Sequence, residues 1–483
     1  MGTWFYKDKN KNVSENVIVK LTQIDQLLQN WRGRSLTWYG KITVIKTLVL
    51  SKLNYTISSN ETPKYLVDEV QRLINEFLWN KKPPRIKFTT AIANYTQGGI
   101  NLTHVQSYVK AQKIGWVKKI IKNKNHFIVQ RLMQFLPEMK FEDFLCCSVD
   151  PADLNLNIPN FYRQILFAWF EHRLLTSTDK NACIWFNKDI TINRKYIWKK
   201  KWYNNGVKHV SDLMHPNGHF LSLADFNARY DIEINFLEYE SIKHAIPGDL
   251  KKNAAIEAAK LENQPLITNV VLKVKSSKEI YEELIKPLKK DPTCIKSWPD
   301  QYGIAFTEPE WKEIFDLPWK VTKHTKLIEF QCKILHKVYA SNSYVSRFDI
   351  TVLPNCEICM VKHNTKHFFV DCMKVRYFWF QFQVCFMPEI DITCNDILFG
   401  IFKDQSFALN YCLLHAKWYL HKEHIGSANF KNYRPSFQKY IMYLQNVLQI
   451  EECCYKLRNK VKLFTDNLGS IYDLVRRMSS NVM

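Results

Sequence analysis

Hydrophobic residues in the first 125 positions recur at the three- and four-residue spacing of α-helices. The spacing predicts four helices, over 17–31, 42–53, 66–78 and 103–122. At the start of the fourth helix, Thr103 and Gln106 fit a capping box, in which each side chain satisfies a free backbone N–H of the first turn. Pro83-Pro84 and Gly98-Gly99 interrupt the helical pattern and indicate turns.

The rest of the chain divides into a less regular middle part and a second helical part. Aromatic-rich pieces recur between 126 and 300, and a strand-like run lies at 267–274. A helical pattern returns at 311–335, a short Cys/His segment follows at 355–372, and the tail is again mostly helical. We therefore expect a mainly α fold, a multi-domain helical chain with small strand elements. The predicted regions are 1–125, 126–300, 301–385 and 386–483.

The charge of the chain is strongly positive. Its 68 Lys and Arg residues outnumber 46 Asp and Glu residues, which gives a formal net charge of +22. Residues 1–125 hold 21 Lys and Arg against 7 Asp and Glu, so +14 of that charge lies in the N-terminal region. Polyanions are the default partners of such a chain, nucleic acid first and an acidic membrane surface second.

The basic stretches supply the candidate nucleic-acid contacts, because Lys and Arg neutralise backbone phosphates without reading sequence. A solvated helical face would show many of the same residues, so the one-sided charge balance is what favours nucleic acid. Aromatic residues interleave the basic residues of the Cys/His segment, a mixture that suits base stacking as well as a small core. These aromatic residues are Phe368, Phe369, Tyr377 and Trp379. The predicted contacts are Arg32, Arg34, Lys41, Lys46, Lys52, Lys81, Lys82, Arg85, Lys87, Lys118, Lys119, Lys362, Lys366 and Arg376.

The sharpest local signal is the spacing C-x2-C-x7-H-x4-C, formed by Cys356, Cys359, His367 and Cys372. Zinc takes four such ligands at tetrahedral geometry, and a C-x2-C turn aims two sulfurs at one point. His367 and Cys372 are five residues apart and cannot ligate together from one regular helix. We expect His367 on a loop or helix end and Cys372 near the start of the next helix. The spacing predicts a structural Zn²⁺ site; the alternative is an accidental cluster in a chain with 13 Cys.

Several chemistries and destinations leave no signature in the sequence. It contains no P-loop, no Gly-rich dinucleotide fingerprint, no Gly-x-Ser-x-Gly elbow and no Asp-Asp dipeptide. No catalytic centre is recognisable, so enzymatic activity is left open. Without a signal peptide or a long apolar run, we expect an intracellular protein, nuclear or cytoplasmic, with reduced cysteines and no membrane partner.

Three further runs of residues are distinctive. They are Trp31-Arg32-Gly33-Arg34-Ser35-Leu36-Thr37-Trp38-Tyr39-Gly40-Lys41, then Phe77-Leu78-Trp79 with Gly98-Gly99-Ile100-Asn101-Leu102, and Phe330-Gln331 leading to Leu335. Together they resemble the segment after the polymerase core in LINE-type non-LTR retrotransposon reverse transcriptases. The Cys/His cluster is similar to the C-terminal zinc-binding module of that family. The resemblance runs in order over about 1–125 and 160–400.

This resemblance implies a thumb-like helical region at 1–125 and a reverse-transcriptase-type zinc-binding module at 301–385. The family is an RNA-directed DNA polymerase, but the endonuclease and the catalytic palm are missing, and we expect the palm upstream of Met1. The leading hypothesis is a C-terminal fragment that binds RNA or template–primer without its own polymerase centre, with RNA and/or DNA as partners. One alternative is a subunit or fragment of an active polymerase, completed by the upstream polymerase portion as a further partner. Another is a decayed element remnant or a protein-interaction scaffold.

Overall fold

The computed structural model describes residues 4, 6–8, 11–12, 14–123, 130, 132–134, 138–150, 153, 158–176, 181–259, 276–402, 407–426 and 434–480. The fold is mainly helical, as the sequence predicts. The strand-like run predicted at 267–274 lies outside the described residues. Within those residues, none of the helices combines the length and the apolar character needed to cross a membrane.

The helices follow one another along both halves of the chain. In chain order they are α1 Val19–Arg32, α2 Trp38–Val44, α3 Leu50–Ser59, α4 Lys64–Trp79, α5 Phe88–Ala91, α6 Val105–Lys122, α7 Phe141–Cys146, α8 Asn160–Thr176, α9 Lys200–Asn204, α10 Leu223–Tyr230, α11 Phe236–Ala245, α12 Gly248–Ala258, α13 Ser277–Ile285, α14 Cys294–Tyr302, α15 Glu308–Val321, α16 Thr325–Leu335, α17 Asn342–Val345, α18 Met373–Phe386, α19 Cys394–Phe399, α20 Phe407–Gly426, α21 Phe437–Leu457, α22 Val461–Phe464 and α23 Ser470–Ser480. Shorter 3₁₀ turns lie at Tyr95–Gln97, Val210–Leu213 and Lys286–Leu288, and π turns at Ser14–Ile18, Ile45–Val49, His367–Asp371 and Thr465–Gly469.

One two-stranded antiparallel sheet occurs in the described part of the chain, formed by β1 (Thr191–Ile192) and β2 (Lys195–Tyr196). Thr191 pairs with Tyr196, and Ile192 pairs with Lys195. The two connecting residues, Asn193 and Arg194, both have positive φ. Tight hairpins require this conformation, because it matches the twist of the strands.

All four helices predicted for the N-terminal region form, but the start of α6 corrects one prediction. The predicted capping box of Thr103 and Gln106 is absent, because the N-cap residue is His104 and its side chain makes no capping hydrogen bond. Instead, the side-chain oxygen of Gln71 accepts a hydrogen bond of 2.9 Å from the backbone N–H of Val105. A residue from α4 therefore satisfies a donor of the first turn.

Two compact units make up the chain. The first contains Met1–Leu28, Thr47–Ile74 and Thr103–Leu288; the second contains Gln29–Lys46, Asn75–Leu102 and Lys289–Met483. Each unit therefore combines segments that are distant in sequence. The four regions predicted from the sequence are not tested by this division, which groups residues by their contacts, and they stay a prediction.

The first unit has an aromatic-rich core. Helix α6 packs against α8 and α13, and the rings of Trp185, Trp202 and Tyr239 are almost fully buried. The buried indole of Trp185 has a backbone partner, since it donates to the carbonyl of Val207 at 2.8 Å. The aromatic pieces that recur in the middle of the sequence thus form a core.

The second unit is organised around α16, which packs against α2, α15 and α20. Trp298 is fully buried, and its indole donates to the carbonyl of Leu335, the last residue of α16, at 2.8 Å. The core continues into the Cys/His segment, where Phe368 and Phe369 are buried members of the same hydrophobic cluster. The segment that holds the candidate metal ligands is therefore part of a larger core.

Candidate metal centre

Cys356 and Cys359 lie on a tight hairpin. Asn355 and Lys362 form an antiparallel bridge, and the backbone N–H of Cys356 donates to the carbonyl of Val361 at 2.8 Å. Met360 closes the turn with a φ of 59°, and its N–H donates to the carbonyl of Cys356 at 2.9 Å. This backbone geometry directs both sulfurs to the inside of the turn.

The other two candidate ligands lie at the start of a single π turn and directly after it. His367 begins the turn His367–Asp371, and its backbone N–H donates to the side-chain oxygen of Asn364 at 2.8 Å. Cys372 follows the turn as the N-cap residue of α18, and its N–H donates to the carbonyl of His367 at 2.9 Å. Cys372 therefore lies at the start of a helix, and the wider π turn between the two residues brings both side chains to one point.

The four candidate ligand atoms lie within 4.8 Å of one another. The sulfur of Cys372 is 3.9 Å from the sulfur of Cys356 and 3.9 Å from that of Cys359. Tetrahedral thiolates at a Zn–S distance of 2.3 Å would be about 3.8 Å apart. The separation thus fits a metal-bound set of sulfurs.

Burial raises the pKa of the Cys372 thiol to about 12, but the surroundings of His367 and Cys356 suit a metal ion. The Nε2 atom of His367 is buried and has no hydrogen-bond partner in the structure, an arrangement that a ligated metal would satisfy. Burial lowers the pKa of His367, which favours the neutral, metal-binding ring. Burial opposes ionisation of Cys356, yet donation from the backbone N–H groups of Cys359 and Ile358 leaves the pKa of its thiol lowered. This Cys₃His cluster could therefore hold a metal ion.

Aromatic packing fixes the π turn against the core of the second unit. Phe369 is fully buried between the rings of Phe330 and Tyr339, with ring centroids 5.9 and 5.0 Å away. The indole of Trp379 donates to the carbonyl of Phe369 at 2.6 Å, which ties α18 to the same turn. His367 and Cys372 are thus positioned by residues that pack beneath them.

Lys41 and Lys366, both among the predicted nucleic-acid contacts, hold structural positions. Lys41 is 3% exposed, and its Nζ donates to the carbonyls of Phe77 and Leu78 at 2.9 and 3.1 Å. It satisfies free carbonyls at the end of α4, so the prediction that it contacts nucleic acid is wrong. Lys366 is half-buried and pairs with Asp371 at 2.7 Å, which offsets its charge.

The other predicted contacts remain accessible in different degrees. Lys52, Lys118 and Lys119 belong to the first unit, and all the others belong to the second, so the N-terminal basic stretch is shared between the units. Arg32, Lys46 and Lys52 are half-buried. The exposed residues are Arg34, Lys81, Lys82, Arg85, Lys87, Lys118, Lys119, Lys362 and Arg376.

The aromatic residues of the Cys/His segment separate into two groups. Phe368, Phe369 and Trp379 are buried and form core, whereas Tyr377 is 67% exposed. Phe380 is 61% exposed and stacks beside Tyr377, with ring centroids 6.4 Å apart and planes inclined by 26°. Sequence reasoning missed Phe380, although its three-residue spacing from Tyr377 placed both on one face of a helix.

Comparisons with known proteins give one partial likeness. No protein-family model matches the chain. An Arabidopsis thaliana protein named as a ribonuclease H protein is 23% identical over 112 residues, which cover 22% of this chain and 18% of that protein. The chain therefore spans less than a fifth of the length of this relative.

Proposed function

We propose that this protein binds single-stranded nucleic acid through the surface around its Cys₃His centre, as a non-catalytic C-terminal part of a LINE-type reverse transcriptase. The observation that carries the proposal is the position of Cys372. This residue is the N-cap of α18, and the same helix presents Arg376, Tyr377 and Phe380 to solvent. We call these three residues the aromatic face.

In this proposal the metal is Zn²⁺, held by Cys356, Cys359, His367 and Cys372. Three sulfurs and one imidazole nitrogen are the usual donors of a closed structural zinc site, which leaves no position open for a substrate. Metal binding stabilises the folded state, and the residues around the metal contact the nucleic acid. Fixing Cys372 also fixes the first turn of α18, and with it the direction of the aromatic face.

The aromatic face has the chemistry that single-stranded nucleic acids require. Tyr377 and Phe380 offer two exposed rings on successive turns, on which bases stack whatever their identity. Arg376 lies next to them in sequence and is exposed, so it can neutralise a backbone phosphate. Lys362, also exposed, adds a second cation on the hairpin of the metal centre.

Two further observations agree with the proposal. The net charge of +22 favours a polyanionic partner. The Arabidopsis thaliana protein that is similar to part of this chain is named as a ribonuclease H protein, and that name refers to RNA. Segments of the sequence resemble LINE-type reverse transcriptases, and for that reason we propose that the chain derives from such an enzyme.

The test is binding of a fluorescein-labelled 12-nucleotide oligo(U) RNA to the full chain, followed by fluorescence anisotropy. Replacing Tyr377 and Phe380 together by Ala should weaken binding by about tenfold or more, because stacking contributes about 1–3 kcal/mol per base. The matched control is Phe236→Ala, which removes a ring that is 62% exposed on α11 of the first unit. Affinity should also fall steeply between about 50 and 200 mM salt.

Two results would overturn the proposal. Equal losses in the double variant and in the Phe236→Ala control would remove the aromatic face from the binding surface. Absence of binding by the unmodified, zinc-loaded chain at low salt would remove nucleic acid as the partner.

A further inference from the structure

A polar cavity of about 570 Å³ lies within the second unit and reaches the segment of the metal centre. Its walls come from α14, from the turn that follows α16, from α17 and the residues just after it, and from 362–365. The volume falls in the range of about 300–1,000 Å³ that is typical of small-ligand sites.

Three cations line this cavity: Lys337, Arg347 and Lys362. No Asp or Glu is among the lining residues, and none of the three cations forms an ion pair in the described part of the chain. Arg347 and Lys362 are exposed, whereas Lys337 is half-buried. The lining of the cavity therefore carries positive charge and no carboxylate.

Lys337 is held in place by an unusual backbone conformation. It follows α16 with a φ of 58°, the left-handed region in which helices commonly end with Gly. Its N–H donates to the carbonyl of Ile334 at 3.0 Å, and the N–H of Val338 donates to the carbonyl of Lys333 at 2.9 Å, which are the two bonds of a Schellman motif. A lysine at a position suited to glycine points to a role for its side chain.

The side chain of Lys337 is also well oriented. Its Nζ donates to the carbonyl of Ser297 at 3.0 Å and to the side-chain oxygen of Gln301, and it lies 4.8 Å from the centre of the Tyr302 ring. Burial lowers the pKa of Lys337 to about 8; the positive charges of Arg347 and Lys362 act in the same direction, whereas Cys294 and Asp300 act in the opposite one. A bound anion would relieve this repulsion.

We infer that the cavity holds one nucleotide of a single-stranded nucleic acid, with its phosphate between Lys337, Arg347 and Lys362. This inference rests on the proposed function and adds a subsite to it. Hydroxyl and amide groups of the lining, such as those of Ser297, Thr365 and Asn364, can hydrogen-bond to the sugar and the base. The rings of Tyr302 and Tyr344 also line the cavity and provide surfaces against which a base can pack.

Two ligands test the cavity: the labelled oligo(U) RNA, followed by anisotropy, and uridine 5′-monophosphate, followed by calorimetry with inorganic phosphate as competitor. The variants are Arg347→Ala and Lys362→Ala, which remove exposed side chains, and Lys337→Gly, which suits the left-handed backbone. Lys439→Ala on α21 removes an exposed cation of the same unit that does not line the cavity. Zinc content and the unfolding midpoint of each variant report whether the fold is intact.

Each of the three variants should weaken RNA binding by about threefold or more and lower the slope of log affinity against log salt by about 0.7. The mononucleotide should bind the unmodified chain, compete with phosphate, and no longer bind the Arg347→Ala, Lys362→Ala double variant. Lys439→Ala should behave as the unmodified chain in both measurements.

The outcomes separate this inference from the proposed function. If RNA binds but the cavity variants match Lys439→Ala, the subsite is wrong and nucleic-acid binding stands. If the mononucleotide binds through the cavity while RNA does not, the cavity is an anion site that holds no part of a nucleic acid, and both the inference and the proposed function are overturned. If neither ligand binds the unmodified chain, both are overturned.

Discussion

The carboxylate of Glu329 accepts a hydrogen bond of 2.7 Å from the backbone N–H of Trp38, although 291 residues separate the two in sequence. Trp38 is the first residue of α2, so a side chain from α16 satisfies a free donor at the start of that helix. Glu329 also pairs with Lys333 one turn later on α16. One buried carboxylate thus joins α2 and α16, two helices that are distant in sequence.

Replacing Glu329 by Gln should destabilise the second unit. The amide keeps an acceptor for Trp38 but loses the charge that attracts the helix N-terminus and Lys333, and we expect a loss of about 1–3 kcal/mol. Urea unfolding followed by tryptophan fluorescence measures the change. Glu313→Gln, an exposed change on α15, is the control and should shift the free energy of unfolding by less than about 0.5 kcal/mol. Equal stability of the two variants would show that the Glu329 contact is unimportant.

Replacing Cys359 by Ser should remove about one equivalent of bound zinc. Because Phe368 and Phe369 pack in the core of the second unit, the loss should raise amide exchange beyond 350–385, into α14 and α16. Metal analysis and hydrogen exchange measure the two effects. Cys453→Ser changes an exposed cysteine outside the cluster and should leave both unchanged. Full zinc content in the Cys359→Ser variant would refute the ligand set.

Acidification should destabilise the second unit through His336. This residue is buried, its Nε2 lies 2.8 Å from the carbonyl oxygen of Gly98, and burial lowers its pKa to about 4. The neutral ring donates this bond. The unfolded chain takes up the proton near pH 6.5 and the folded chain only near pH 4, so stability falls as the pH decreases through that window, by up to about 3 kcal/mol.

The variant His336→Gln isolates this effect, because its amide can donate to Gly98 but does not titrate. The unfolding free energy of the variant should change less between pH 7 and 4 than that of the unmodified chain. His324→Gln, at an exposed position of the same unit, should keep the full pH dependence. If His336→Gln follows the unmodified chain at every pH, the buried imidazole is not the group responsible.

Replacing Gly99 by Ala should destabilise the second unit severely. A Cβ at Gly99 would overlap the carbonyl group of Ala93, and neither backbone segment can move without breaking hydrogen bonds of the turn. We expect a loss of more than about 3 kcal/mol, in the range of the largest single-residue effects. Gly33→Ala is the matched control, since nothing lies within 4 Å of its added Cβ. Thermal unfolding distinguishes the two, and equal midpoints would contradict the tight turn.

Local patterns predicted the parts of the structure that depend on nearby residues. The helical spacing over 66–78 corresponds to α4. The spacing of the cysteines predicted the tight turn at Cys356 and the position of Cys372 at the start of a helix. These features depend on periodicity and on ligand geometry within a few residues.

Features that depend on distant packing escaped prediction. Lys41 looks like any cation of a basic stretch, and only the fold shows that its ammonium lies against the end of α4. The same holds for Gln71, which takes the capping role assigned to Thr103 and Gln106. Phe380 is a different case, because its helical spacing from Tyr377 is visible in the sequence although the predicted aromatic residues do not include it.

The segment of the candidate metal centre shares its core with the rest of the second unit, and this affects how much of the protein accumulates. Phe369 packs against Phe330 of α16, so a chain that has not acquired its ion lacks an anchor for much of the second unit. Under the proposed zinc assignment, chains made without zinc would remain partly open and become substrates for proteolysis. The abundance of this protein would then follow the supply of zinc.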